Sequence, residues 1–107
     1  MMSKRLDSLW VSAEREVEIF TSQKQGTLLD RFKSLVAYKN GDRSINVTSE
    51  MLQVRSYLAP VVKGVPIYKV WENMYSVSHR LLKGRSVDYY LCQFIKSMRE
   101  LNKSIKQ

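Results

Sequence analysis

Two runs of basic and amide side chains at helical spacing are where this sequence concentrates its chemistry. Lys69, Asn73, Ser76, Arg80 and Lys83 follow steps of four, three, four and three residues, which puts all five on one face of a helix. No acidic residue belongs to that stripe. Lysine and arginine neutralise phosphates, and asparagine and serine hydrogen-bond to base edges, so the face has the composition of a helix that grips or reads nucleic acid. Any amphipathic helix also needs a polar face, and a lysine-rich one can serve that end with no ligand at all. Further along, Lys96, Arg99, Lys103 and Lys106 form a second stripe, equally suited to sequence-independent phosphate contacts or to plain solvation. Arg55, Lys63 and Arg85 flank these stripes and would steer and hold a backbone. Tyr57, Tyr68, Tyr75, Tyr89 and Tyr90 interleave with the cations, where they would either stack on bases or edge the core.

The charge distribution sharpens this picture. Residues 1–54 hold eight Lys/Arg against seven Asp/Glu, net +1, whereas residues 55–107 hold ten against three, net +7, together the +8 of the whole chain. Between Arg55 and Arg99 only Glu72 and Asp88 interrupt the basic residues. Polyanions are the natural partners of such a surface.

Groups for covalent or acid–base catalysis are missing. His79 is the one histidine, and its neighbours in sequence supply neither a nucleophile nor an orienting acid. Glu14 and Glu18 stand four apart on a helix, but beside Arg15 on a face that reads as solvated. Gly26, Gly41, Gly64 and Gly84 are isolated, so there is no glycine-rich phosphate cradle, and no helix carries two histidines at metal-binding spacing. Cys92 is the one cysteine, which rules out an intrachain disulfide; beside the apolar stripe of its helix it reads as a small buried hydrophobe. No cofactor or metal is expected. Asn46-Val47-Thr48 and Asn102-Lys103-Ser104 match the glycosylation sequon, but no secretion signal accompanies them and they read as chance.

The elements that must position these side chains follow from apolar periodicity. Leu6, Trp10, Ala13, Val17 and Phe20 share a helix face, with Ser3 or Asp7 to cap it, Glu14, Glu16 and Glu18 on or beside the opposite face, and Gly26 to stop it. Leu28, Leu29, Phe32, Leu35 and Val36 define a second helix from about Thr27 to Asn40-Gly41, forming an antiparallel hairpin with the first. The stretch from Asp42 to Thr48 reads as loop, with a short extended piece allowed near Ile45. Thr48 or Ser49 would cap a short third helix carrying Met51, Val54 and Leu58, which Pro60 ends. A connector, with another short extended piece allowed near Val61, leads to Pro66, which suits the first turn of a fourth helix. That helix runs to Lys83, with Ile67, Val70, Trp71, Met74, Val77 and Leu81 buried and Gly84 as its stop. Ser86 would cap the fifth helix. There Val87, Leu91, Phe94, Met98, Leu101 and Ile105 keep an unbroken four-three spacing, a heptad stripe fit either for a homodimer seam or for a core strip against the first and fourth helices. Residues 54–74 loosely echo a helix-turn-helix, yet Pro60 falls where the first helix should still run, and the connector is longer than that motif allows.

The expectation is therefore one all-α domain over residues 1–107, a compact bundle of about five helices. No apolar run approaches the roughly 18 residues that a membrane span needs, and no signal peptide follows Met1, so a cytoplasmic protein that contacts no membrane is expected. The function expected is non-enzymatic and regulatory, binding DNA or RNA in the manner of small basic proteins specified by phages, viruses or plasmids, with Lys69, Asn73, Arg80 and Lys83 of the fourth helix in direct contact and Arg55, Lys63, Arg85, Arg99 and Lys103 holding the backbone. The alternative is a small helical adaptor or inhibitor that binds another protein, an acidic one included, through a basic or apolar face.

Overall fold

The apolar periods do form helices. The computed structural model describes residues 4–24, 26–58, 67–77 and 87–106, and in it α1 (Lys4–Lys24), α2 (Leu28–Lys39), α3 (Val47–Leu58), α4 (Ile67–Val77) and α5 (Val87–Lys106) follow one another with no strand among the described residues. The 59–66 connector, residues 78–86 with the Ser86 cap, and the continuation of α4 to Lys83 lie outside the described residues.

Local chemistry sets the turns. After α2 the Asn40 amide donates to the Val36 and Ala37 carbonyls at 2.9 and 3.1 Å, and Gly41 takes φ +112°, a left-handed conformation that glycine adopts without steric cost. Asp42 then accepts from the backbone N–H of Ser44 at 3.0 Å, closing a tight turn where an extended piece near Ile45 was allowed. The cap of α3 is Asn46, two residues before Thr48 and three before Ser49: its Oδ1 accepts from the Ser49 amide at 3.1 Å.

Each helix packs on its neighbour in sequence, α5 closes the ring on α1, and α2 reaches across to α4. A single cluster of buried side chains draws on all five helices. At its middle Phe32 of α2, fully buried, meets Trp10 of α1, Trp71 of α4 and Phe94 of α5 with ring centroids 5.9, 5.8 and 6.0 Å away. Arg31 and Glu50, 2.6 Å apart and largely covered, tie α2 to α3 beside this cluster.

The α5 stripe belongs to the core of its own chain. Leu91, Phe94 and Met98 are fully buried and Leu101 nearly so, while Val87 and Ile105 pack half-buried at the two ends. The covered face is also wider than a heptad seam, because Tyr90, Ile95 and Asn102 are buried beside the stripe. A face this broad fits between two neighbours, here α1 and α4, rather than against one partner helix. The expected dimer seam is thus taken up within the monomer. No helix among the described residues is long and apolar enough to cross a membrane.

Candidate nucleic-acid interface

The expected basic residues divide into two groups. On α3 and α4, Arg55 and Lys69 are exposed, but both turn to Glu72: Lys69 Nζ lies 3.2 Å and Arg55 Nη2 3.9 Å from its carboxylate oxygens. Arg55 also lies over the ring of Tyr68, 5.3 Å from its centroid. The α4 stripe contains no acid of its own, yet Glu72 one position from Asn73 shares out the charge of two cations, and Asn73 is half-buried. Lys63, Arg80, Lys83, Arg85 and His79 lie outside the described residues, as does the side chain of Ser76.

On α5 the arrangement is more open. With about 100° per residue, Cys92, Lys96, Arg99 and Lys103 fall within a narrow arc just past the buried face, and all four are exposed. Cys92 is therefore not the small buried hydrophobe expected: the core face stops at Ile95 and Asn102, and the thiol stands on the far side of that edge. Against α1 this arc borders a groove of about 430 Å³ whose apolar lining comes from Leu9 and Ile95. A second recess of about 260 Å³ lies on the α4 side, between Val70 and Ser97, and Lys96 and Glu100 line both.

A buried polar clasp fixes the edge of the groove. Glu16 was expected on the solvated side of α1 but is only 9% exposed. Its backbone carbonyl and its carboxylate accept from Asn102 Nδ2 at 3.0 and 3.1 Å, and Arg99 Nε lies 3.4 Å from the other carboxylate oxygen. The clue in the sequence was position: Glu16 precedes Val17 and Asn102 follows Leu101, each on the shoulder of an apolar stripe. Arg99 thus has a structural partner while most of its side chain remains at the surface. Glu16→Ala or Asn102→Ala is expected to cost about 1–3 kcal/mol by leaving a buried group unsatisfied, whereas Arg99→Ala, whose ion pair is largely solvated, should cost under about 1 kcal/mol. Urea denaturation of the three variants checks this order, and an Arg99→Ala loss as large as the others would contradict it.

The tyrosines also separate. Tyr75 and Tyr90 are buried, and burial, then the Glu50 carboxylate, push the Tyr75 hydroxyl up to about 12. Tyr57 shares a 2.6 Å hydrogen bond with the Thr27 hydroxyl and covers Gly26, where an added Cβ would come within 2.8 Å of its ring. These are structural roles. Tyr89 is exposed on α5, its ring edge-on to Tyr90 and its hydroxyl accepting from Gln93 Nε2 at 2.9 Å.

Among the described residues, five α-helices in a ring around an aromatic centre, with a basic arc beside a groove, define the class: an all-α bundle. The chain matches no family model, no curated protein and no solved structure.

Proposed function

We propose that this chain is a small, basic, non-enzymatic nucleic-acid-binding protein that holds a phosphate backbone along the exposed arc of α5. The observation that carries it is the placement of Lys96, Arg99 and Lys103 at adjoining turns of one exposed helix face, in the half of the chain that holds a net +7. Of these, Lys96 and Lys103 are the principal phosphate contacts. Arg99 offers the outward part of a guanidinium anchored on Glu16, an orientation suited to an anion passing over the groove. Arg55 and Lys69 contribute to the attractive field at longer range, weakened by Glu72.

Fluorescence anisotropy with labelled DNA and RNA oligonucleotides, titrated at several salt concentrations beside an acidic protein, tests this. Each phosphate contact contributes about −0.7 to −0.9 to the slope of log K against log salt, so three contacts give a slope of about −2 to −3. Capture of the acidic protein with no binding to DNA or RNA at low salt would show that the basic face serves a protein partner instead.

A further inference from the structure

We infer that the groove between α1 and α5 seats unpaired bases of a single-stranded nucleic acid whose backbone runs along Lys96, Arg99 and Lys103, an inference that rests on the nucleic-acid function proposed above. Two features of the groove, and one beside it, point to this occupant. Its volume, about 430 Å³, and its apolar surface from Leu9 and Ile95 give a planar ring somewhere to leave water, beside cations placed for the attached phosphates. Two neutral or acidic polar groups, the Ser12 hydroxyl and the Glu100 carboxylate, line the same groove. A carboxylate accepts from the exocyclic amino groups of bases, whereas the side chains of an acidic peptide would bring it only like charge. Tyr89 supplies the third feature, for it stands one turn before Cys92 on the same side of α5, exposed, where a neighbouring base can stack on it. A base paired within a duplex has its Watson–Crick edge engaged and both faces stacked, so its ring cannot leave the helix to enter the groove.

Cys92 gives the test its reporter. It is the one cysteine of the chain, it is exposed, and it lines the groove, so its alkylation rate reads groove occupancy directly. The full chain is titrated with a labelled single-stranded oligonucleotide of mixed sequence, as DNA and as RNA, and with the corresponding duplexes. The single strand is expected to bind at least about ten-fold tighter than duplex at the same salt and to slow iodoacetamide modification of Cys92, with duplex slowing it far less. Ser12→Trp, which fills the groove, should reduce single-strand affinity about ten-fold and leave the salt slope unchanged, because the phosphate contacts remain. The Cys92 measurement on the wild type stands even where that variant does not fold. Equal affinity for single strand and duplex, with Cys92 equally reactive in both complexes, overturns the groove assignment and leaves phosphate binding intact. Stronger protection of Cys92 by an acidic peptide than by the oligonucleotide also overturns it. Absence of binding to every nucleic acid at low salt overturns the groove assignment together with the function on which it rests.

Discussion

Phe32→Ala is expected to remove about 3–5 kcal/mol of folding stability, the range for emptying a large aromatic from a core. The site is unforgiving because the ring is fully buried and its neighbours come from three other helices, Trp10 from α1, Trp71 from α4 and Phe94 from α5. Those neighbours cannot all move inward at once, since Trp71 and Phe94 are themselves held edge to face at 5.4 Å. A cavity remains, and the aromatic contacts are lost in addition, each worth about 0.5–1.5 kcal/mol beyond its buried area. Domains of this size are stable by about 5–15 kcal/mol in total, so the variant should be marginal, its melting temperature lower by more than about 10 °C. Phe32→Leu keeps most of the volume and should lose far less. Urea and thermal denaturation followed by circular dichroism measure both variants, and a loss below about 1 kcal/mol for Phe32→Ala would mean that the ring is not the hub of the core.

That hub also shows how much the sequence reveals. Trp10, Phe32, Trp71 and Phe94 each fall on an apolar helical period, and the helices, their order and most of the core can be read from that spacing alone. The period does not say how wide a face is buried. On α5 the heptad stripe is legible, but Tyr90, Ile95 and Asn102 beside it are covered only because both α1 and α4 press on the helix, and this widening turns a possible dimer seam into a core strip. The same limit explains Cys92, which lies one residue from a fully buried leucine and is exposed. At the candidate site the cations of α5 are legible as residues at helical spacing. The groove beside them is not, since it joins Leu9 and Ser12 to side chains eighty or more positions away, as the clasp joins Glu16 to Arg99 across 83. Nor does spacing along α4 reveal that Glu72 also draws in Arg55 from α3.

This sharing of charge leads to the largest expected effect on binding. Reversing Lys96 and Lys103 together to glutamate should weaken nucleic-acid binding at least about a hundred-fold near physiological salt, while the helical signal stays at its wild-type level. Two phosphate contacts disappear, and two carboxylates then face the backbone that the lysines held, so repulsion adds to the lost attraction. Both lysines are exposed and neither has an acidic partner within ion-pair distance among the described residues, so the fold has no stake in their charge. Arg99 is left in place because a glutamate there would stand against the buried Glu16 carboxylate, and that repulsion would mix stability with affinity. Lys69→Glu is the informative comparison. Its ammonium already lies 3.2 Å from Glu72, so it has less charge to offer a phosphate, and its reversal should weaken binding several-fold at most. Anisotropy titrations at one fixed salt concentration decide between the faces: a greater loss from Lys69→Glu than from the double reversal on α5 would move the interface to α4.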